Sequence, residues 1–487
     1  LVRDTQGVLR EASWPEALAV AAAGLSVNRA AVLVGGRATA EDAYGYSKFA
    51  RVALKTNDID FRARPHSEEE RSFLSSVVVG SSVTYSAIDK ADHVVLLGFE
   101  AEEESPIVFL RLFKQVRKRS MKVTAVAPFT TRANQKLKAQ VIKTTAGNEA
   151  NEIINIAGLT NKSVILVGER LAESQGALSA AMKIAQSSGA HLAWIPRRAG
   201  ERGALEAGSI GTLLPGGRPV TDSAARVDIQ SAWGVSSLPT TVGHSTSEIL
   251  DALHTGDIDS LLIGGVDPLD ISRDAAKGLE KAFVVSLEIR KSQITELANV
   301  VLPVAAVAEK SGTFINWEGR ARSFESAIDA PNLRSDVRIL SMLADEMGTP
   351  INLPTVEAAA REMNSLGVWD GARVTFTPAN AGSISGETIL SSWRLLLDAG
   401  SLQDGEVNLA KTAHPSVAVI SADRAGKLGV THGDQVTISS KVGAITLPVE
   451  IADIDSKTVW IPRNSQSSRA IALLGAASGI EVSVVKA

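Results

Sequence analysis

Two short segments place an acidic side chain just after a glycine at the end of an apolar run. Gly98 and Glu100 follow the run HVVLL, and Gly265 and Asp267 follow the run LLIG. Open α/β sheets bind nucleotides at the carboxyl ends of their strands, where glycine admits a ligand or a loop and a carboxylate accepts a hydrogen bond from a ribose. The two segments therefore predict nucleotide-binding strand ends. A tight strand-to-helix turn with a solvated carboxylate has the same pattern and stays open as the alternative.

A third segment gathers polar groups that suit phosphates and amides. Residues 309–321 read EKSGTFINWEGRA and follow a strand-like run that ends at Pro303. Asn316, Glu318 and Arg320 lie among glycines there, and guanidinium and amide groups donate hydrogen bonds to phosphate oxygens. The segment is a candidate ligand loop. The alternative is a loop that is held together by its own hydrogen bonds.

Several classes of chemistry are excluded by residue type or spacing. The chain has no cysteine, so it supplies no thiolate nucleophile, no disulfide and no sulfur ligand for zinc or iron–sulfur clusters. The seven histidines form no pair at i,i+3 or i,i+4 spacing, and no GxGxxG, Walker, HExxH or GxSxG motif occurs. The absence of the GxGxxG and Walker motifs argues against ordinary ATP or NAD binding, and we predict no metal site. Lys and Arg total 50 against 54 Asp and Glu, which argues against a nucleic-acid partner.

The hydrophobic pattern predicts the elements that position these residues. Near-continuous apolar runs are typical of parallel strands buried on both faces, and helical-period segments lie between them. The chain of 487 residues is long enough for two or three domains, and no apolar stretch is long enough for a membrane span. We expect an α/β fold with doubly wound sheets, followed from about Gly405 by a small β-barrel of short strands. The predicted sheet strands are 31–35, 93–98, 122–127, 163–168, 261–265 and 282–287.

Particular stretches of the chain resemble a known family. The resemblance covers nearly the whole sequence and is closest to the large iron–sulfur subunits of bacterial NADH-quinone oxidoreductase (respiratory complex I), within the molybdopterin oxidoreductase superfamily. The stretches that carry it are GGRATAEDAYGYSKFAR (35–51), TNDIDFRAR (56–64), ADHVVLLGFEAEEESPIVFLRL (91–112), LLIGGVDPLD (261–270) and EKSGTFINWEGRARSF (309–324), together with GALEAG, LLPGGR and the terminal ADRAGKLGV (422–430).

The resemblance implies two interleaved αβα doubly wound domains and a C-terminal, double-psi-like β-barrel similar to a dinucleotide-binding domain. The implied boundaries are 1–60 with 258–404 for the first αβα domain, 61–257 for the second, and 405–487 for the barrel. Both glycine-plus-acid strand ends would then face a shared cleft. The residues expected in this vestigial pterin-dinucleotide cleft are Gly98, Glu100, Gly265, Asp267, Asn316, Glu318 and Arg320.

The resemblance also implies a scaffold role without bond chemistry of its own. The parent subunit would carry [4Fe-4S] and [2Fe-2S] clusters in an N-terminal region that precedes this chain, and it would support electron transfer from NADH through FMN to quinone. Many catalytic members place a sulfur or selenium ligand just after the segment that matches Ile59–Arg64, where this chain has Pro65-His66-Ser67. We therefore expect no molybdopterin dinucleotide and no metal bound by these residues.

The expected partners are other peripheral-arm subunits, including the NADH- and FMN-binding subunit, with no direct membrane insertion. The expected location is the cytoplasmic side of the bacterial inner membrane. Two other functions stay open: a catalytic molybdenum or tungsten bis-pterin oxidoreductase, similar to formate dehydrogenase, and a free-standing nucleotide-binding or assembly protein.

Overall fold

The chain divides into two compact units, each made of separate stretches of sequence. The computed structural model describes residues 1–27 and 29–487. Unit 1 contains Leu1–Arg64, Arg71–Ser81 and Arg198–Phe376, and unit 2 contains Pro65–Glu70, Ser82–Arg197 and Thr377–Ala487. Within the described residues, no helix combines the length and the hydropathy needed to cross a bilayer.

Strands and helices alternate through most of the chain. The strands are β1 (Val2–Arg3), β2 (Leu9–Arg10), β3 (Ala30–Val34), β4 (Ile59–Asp60), β5 (His93–Leu97), β6 (Lys122–Ala127), β7 (Gln140–Lys143), β8 (Ser163–Gly168), β9 (His191–Ile195), β10 (Leu213–Leu214), β11 (Arg218–Pro219), β12 (Ser260–Gly264), β13 (Phe283–Glu288), β14 (Val300–Pro303), β15 (Gly312–Ile315), β16 (Ala321–Phe324), β17 (Ile389–Trp393), β18 (Ala418–Ile420), β19 (Gln435–Ser439), β20 (Ala444–Ile451), β21 (Thr458–Pro462), β22 (Asn464–Ser465), β23 (Ser468–Arg469) and β24 (Ser483–Lys486).

The helices are α1 (Trp14–Ser26), α2 (Ala40–Val52), α3 (Glu68–Phe73), α4 (Tyr85–Lys90), α5 (Ala101–Glu104), α6 (Pro106–Arg119), α7 (Arg132–Lys136), α8 (Glu149–Ile153), α9 (Ala177–Ser188), α10 (Glu201–Glu206), α11 (Ser223–Trp233), α12 (Thr246–Thr255), α13 (Ala275–Leu279), α14 (Gln293–Leu297), α15 (Asp336–Glu346), α16 (Val356–Ser365), α17 (Val407–Ala410), α18 (Ala422–Leu428) and α19 (Ala470–Leu474). Short 3-10 helices are also present, one of them at Glu169–Glu173.

Unit 1 is built on a seven-stranded sheet assembled from distant parts of the chain. Its order is β2-β1-β14-β13-β12-β3-β4, and the five strands from β14 to β4 are parallel. Every residue of β3 and β12 is buried, because helices cover both faces of a parallel sheet. The carboxyl ends of β3 and β12 are neighbours, which places Gly35 beside Gly264 and Gly265.

Unit 2 contains a five-stranded parallel sheet and a six-stranded mixed sheet. The parallel sheet has the order β7-β6-β5-β8-β9, so β5 is its central strand and Gly98 lies at the end of that strand. The mixed sheet has the order β17-β21-β18-β20-β19-β24. Its aliphatic core includes Leu390, Ile420 and Ile438, and an aromatic cluster of Phe129, Trp393 and Trp460 packs beside it.

The predicted α/β architecture is confirmed, and the six predicted sheet strands agree with the observed ones to within about a residue at each end. The C-terminal region forms short strands as predicted, and β17 joins its sheet although this strand lies before Gly405. Residues 200–257 belong to unit 1 in the structure. The implied three-domain division stays a prediction.

Candidate functional site

The glycine at the end of β5 is packed against the protein's own backbone. Gly98 has a φ of +56°, and a Cβ atom added to it would lie 2.6 Å from the backbone nitrogen of Leu171. Leu171 belongs to the 3-10 helix that begins directly after β8. Gly168, the last residue of β8, would place a Cβ atom 2.3 Å from the carbonyl oxygen of Gly98. A glycine at a strand end allows either a ligand or a loop to approach the backbone. At Gly98, the segment that approaches is the 3-10 helix of the protein itself.

The acidic residue that follows this glycine is buried. Glu100 is 6% exposed, and burial raises the pKa of its carboxyl from about 4.5 to about 8, although a hydrogen bond with Thr131 acts in the opposite direction. Its backbone N–H donates to the carboxylate of Glu104 at 2.6 Å, and Arg170 donates to the same carboxylate at 3.0 Å. Glu100 is therefore part of an enclosed polar cluster, in which burial disfavours the ionised form of its carboxyl.

The end of β12 has a different geometry. A Cβ atom on Gly264 would meet the hydroxyl of Tyr46, whereas a Cβ atom on Gly265 has no neighbour within 4 Å. The φ of Gly265 is +62°, so the chain turns here in the left-handed region that favours glycine. Asp267 is exposed two residues later. This strand end has space beside its backbone, which a bound group would require.

Asn316, Glu318 and Arg320 form the turn between β15 and β16. The side-chain oxygen of Asn316 accepts hydrogen bonds from the backbone N–H groups of Glu318 and Arg320 at 3.1 and 3.0 Å. The side-chain amide of Asn316 donates to the Glu318 carboxylate at 2.8 Å, and Arg320 lies 3.7 Å from that carboxylate. These contacts match the alternative of a loop held together by its own hydrogen bonds.

The seven predicted residues are divided between the units. Gly98 and Glu100 belong to unit 2, and the other five belong to unit 1. Within unit 1, the hairpin brings Asn316, Glu318 and Arg320 together. The shared cleft stays a prediction, as does any ligand contact of these residues.

Sequence reasoning missed a set of buried charges in unit 1. Lys310 donates to the carboxylates of Asp42 and Asp336 at 2.6 and 2.8 Å, and the hydroxyl of Tyr46 donates to Asp336 at 2.9 Å. Near the end of β4, Arg62 and Asp60 form an ion pair with no exposed side-chain surface on either residue. The only signal in the sequence was the high density of charges in the family-like stretches 35–51 and 56–64.

Unit 2 also contains a polar cavity of about 1040 Å³. Serine and glycine residues make up much of its wall, and its charged residues are Glu173, Glu387, Arg424, Lys441 and Glu481. Arg424 donates to the carbonyl oxygen of Ser456 at 3.0 Å. None of the seven predicted site residues is among the described residues that line this cavity.

At the end of β5, Gly98 and Glu100 are packed against the protein's own residues. A nucleotide at this position requires open space at Gly98 and an accessible, ionised carboxylate at Glu100. Leu171 occupies the space, and the Glu100 carboxyl is buried with a raised pKa. At the end of β12, the position next to Gly265 is open, because a Cβ atom there would have no neighbour within 4 Å. Among the residues that the structure describes, no group of three or more His, Asp or Glu side chains is placed to hold a metal ion.

The chain is similar to known proteins along almost all of its length. The sequence profile of the molybdopterin oxidoreductase family matches residues 1–346, and that of the molydopterin dinucleotide binding domain matches residues 399–482. The G subunit of the NADH-quinone oxidoreductase of Mycobacterium tuberculosis is 48% identical over 96% of this chain and 60% of its own length. The corresponding G subunit of Streptomyces coelicolor is 45% identical over 96% of this chain and 61% of its own length.

More distant proteins share the fold or parts of the sequence. The F420-dependent formate dehydrogenase 2 subunit alpha of Methanococcus maripaludis is 27% identical over 70% of this chain and 61% of its own length. The solved structure of acetylene hydratase from Pelobacter acetylenicus has a TM-score of 0.62 at 12% identity, covering 98% of this chain and 90% of the other.

The comparisons confirm the resemblance that the sequence motifs indicate, both to the superfamily and to the NADH-quinone oxidoreductase subunits within it. The chain spans about three fifths of the length of the NADH-quinone oxidoreductase subunits that it matches. The family profile alone covers more than half of the chain. The chain is thus a member of the molybdopterin oxidoreductase family.

Proposed function

We propose that this chain is the scaffold portion of the large iron–sulfur subunit of a proton-translocating NADH-quinone oxidoreductase. In this role it supports electron transfer from NADH through FMN and iron–sulfur clusters to quinone, and it performs no bond chemistry itself. The similarity to the mycobacterial NADH-quinone oxidoreductase subunit over 96% of the chain supports the assignment. The [4Fe-4S] and [2Fe-2S] clusters belong to an N-terminal region of the parent subunit.

One observation carries the non-catalytic part of the proposal. At the end of β5, the backbone of Leu171 fills the space next to Gly98, and Glu100 is enclosed by its own neighbours. This packing supports the proposal that no pterin dinucleotide binds at this strand end. We infer that the seven predicted residues are what remains of a cofactor cleft, and that this chain binds neither molybdopterin dinucleotide nor its metal.

The proposal includes the finer architecture and the surroundings of the chain. The two αβα domains are interleaved with boundaries at 1–60 with 258–404 and at 61–257, and the barrel at 405–487 is double-psi-like. The partners are peripheral-arm subunits, including the NADH- and FMN-binding subunit. The location is the cytoplasmic face of the bacterial inner membrane, to which these partners hold the chain.

The test is elemental analysis of the full-length parent protein in its native complex. Iron, molybdenum and tungsten are measured per polypeptide, and pterin is extracted from the same sample. We expect iron without molybdenum, tungsten or pterin, together with the other subunits of the NADH-quinone oxidoreductase. Molybdenum or tungsten in near-stoichiometric amount with pterin would reject the scaffold assignment.

A second candidate function is a catalytic molybdenum or tungsten bis-pterin oxidoreductase of the formate dehydrogenase type. The open space at Gly265 with the exposed Asp267 favours it, because a ligand has access to this strand end. Pterin in the extract would favour this candidate, and the region of Pro65-His66-Ser67 would then be searched first for a ligand of the metal.

A further inference from the structure

The outer face of α6 exposes side chains that the packing of unit 2 does not require. The inner face of this helix is buried through Val108, Leu112 and Val116. The outer face presents Ile107 and Leu110, which are 57% and 55% exposed. A helix that has already buried one apolar face normally presents polar side chains on the other. Ile107 and Leu110 therefore form a small apolar spot that the packing of α6 leaves uncovered.

Cations continue the same stripe toward the carboxyl end of the helix. Lys114, Arg117 and Lys118 are exposed, and they lie within about 60° of the mean direction of Ile107 and Leu110 at 100° per residue. None of these three cations forms an ion pair within the described part of the chain. The stripe is about 16 Å long, with an aliphatic half followed by a cationic half.

The helix dipole accounts for only part of this charge. Cations in the last turn of a helix stabilise it, which explains Arg117 and Lys118. Lys114 lies a turn earlier, and the dipole gives no reason for the exposed Ile107 and Leu110. The neighbouring acidic residue Asp89 is already paired with Arg111, so it does not neutralise the stripe. The chain as a whole has a net charge of −4, whereas this face of α6 is locally positive.

We propose that this face, defined by Ile107, Leu110, Lys114, Arg117 and Lys118, binds an acidic surface of a partner protein. The partner presents carboxylates opposite the three cations and a small apolar area opposite the two aliphatic side chains. Complementary charge of this kind selects the partner and fixes its register, and buried aliphatic contacts slow its dissociation. The inference rests on the proposed function in one respect, namely that the full-length chain works within a multisubunit complex.

An anionic membrane is the less suitable surface. Helices that bind in the membrane interface insert a whole apolar face to a depth of about 5–10 Å. The apolar face of α6 is used within unit 2, and two exposed aliphatic residues offer too little area for such insertion. A protein surface needs only a local apolar spot surrounded by polar contacts.

The first test is cross-linking of the native complex of the full-length chain. A carbodiimide joins lysine amines to carboxylates that are already in contact, and mass spectrometry identifies the joined residues. We expect Lys114 or Lys118 to be linked to Asp or Glu of a different polypeptide. Acetylation of both lysines in the complex to the same extent as in the isolated full-length chain would overturn the proposal. Links only to a second copy of this chain, or protection that is lost on delipidation, would overturn it too.

The second test reverses the charge of the stripe. The double variant Lys114→Glu with Lys118→Glu should be retained in the complex about tenfold less than the wild type at moderate salt, because like charges then face each other. Lys411→Glu with Lys427→Glu is the matched control, since both are exposed lysines near helix ends and both lie outside the stripe. Ile107→Ala with Leu110→Ala should also weaken retention without changing the Tm of the isolated chain. Equal retention of all variants would contradict the proposal.

The two tests separate this inference from the proposed function. The identity of the polypeptides that purify with the chain decides whether the complex is an NADH-quinone oxidoreductase. The cross-linked residues decide whether the α6 face is the contact. A different complex with links at Lys114 would leave the α6 proposal in place and reject the proposed function.

Discussion

The guanidinium of Arg463 donates two hydrogen bonds to the carboxylate of Glu173, at 2.6 and 2.8 Å. Arg463 directly follows β21 of the six-stranded sheet, and Glu173 ends the 3-10 helix that follows β8 of the five-stranded sheet. Arg463 also donates to the backbone carbonyl and to the hydroxyl of Ser392. This bidentate pair therefore connects the two sheets of unit 2 through groups that are almost completely withdrawn from water.

Arg463→Ala should destabilise unit 2 strongly. Removing one member of a buried ion pair leaves the other charge without compensation, which costs about 3–5 kcal/mol. The side chains of Arg463 and Glu173 are 5% and 13% exposed, so water replaces little of the lost contact. Urea denaturation should show the loss as a lower midpoint.

Arg10→Ala is the control for that measurement. The pair of Arg10 with Glu16 is exposed on both sides, with 47% and 40% of the side-chain surface accessible, and exposed pairs contribute little to stability. The urea midpoint of this variant should stay close to that of the wild type. Equal shifts for the two variants would show that the Arg463 pair does not behave as a buried one.

Gly98→Ala should lower the free energy of unfolding more than Gly265→Ala does, although both glycines have a positive φ. In both variants, a left-handed conformation costs a non-glycine residue about 1–2 kcal/mol. At Gly98, the added methyl group also collides with the backbone of Leu171, and overpacking of this kind costs about 1–3 kcal/mol more. At Gly265 the added methyl group meets nothing.

The comparison is made by thermal or urea unfolding of the two variants beside the wild type. The larger loss should belong to Gly98→Ala. If the two variants lose equal stability, the packing of Leu171 on Gly98 is not tight, and the main support for a closed strand end is removed.

Sequence patterns predicted the positions of the strands well, but they did not predict which side chains surround the acidic residues. Runs such as HVVLL are buried on both faces, so their hydrophobicity identifies them without knowledge of their neighbours. Glu100 interacts with Thr131 and Arg170, which lie 31 and 70 positions further along the chain. The contact between Lys310 and Asp42 spans 268 positions. A single sequence gives no information on such pairings, and this is why the buried charges were missed.

Glu100→Gln should change how stability depends on pH. The folded-state pKa of Glu100 is raised to about 8, chiefly because burial disfavours the charged carboxylate, whereas the unfolded value is near 4.5. Between these two values the folded state binds more protons at this site than the unfolded state does, so this group makes stability fall as pH rises. The amide does not ionise, and the variant should lose this part of the pH dependence.

The measurement is the free energy of unfolding at several pH values from 5 to 8, for the wild type and for Glu100→Gln. The stability of the variant relative to the wild type should increase steadily over this range. Parallel pH profiles would mean that Glu100 is ionised in the folded protein, and a carboxylate available to a ligand would again be possible at this strand end.

Lys310→Met should be among the most destabilising substitutions in unit 1. The Lys310 side chain is 10% exposed, and its ammonium group lies between the carboxylates of Asp42 and Asp336, whose negative charge it compensates. Without it, two acidic groups share a buried site, and the expected cost is about 3–5 kcal/mol at neutral pH. Burial already raises the pKa of Asp42, and loss of the nearby cation raises it further. A raised folded-state pKa favours folding at low pH. The difference in stability between Lys310→Met and the wild type should therefore shrink as the pH falls toward 4.

Two further variants show whether the charge of Lys310 is the cause. Lys277→Met removes an exposed lysine from its ion pair with Asp274, where both side chains are more than half exposed, and it should leave stability nearly unchanged. Asp42→Asn added to Lys310→Met removes one of the two uncompensated carboxylates, and it should restore part of the lost stability at pH 7. If the double variant is no more stable than Lys310→Met alone, the loss comes from the packing of the lysine side chain and not from the buried carboxylates.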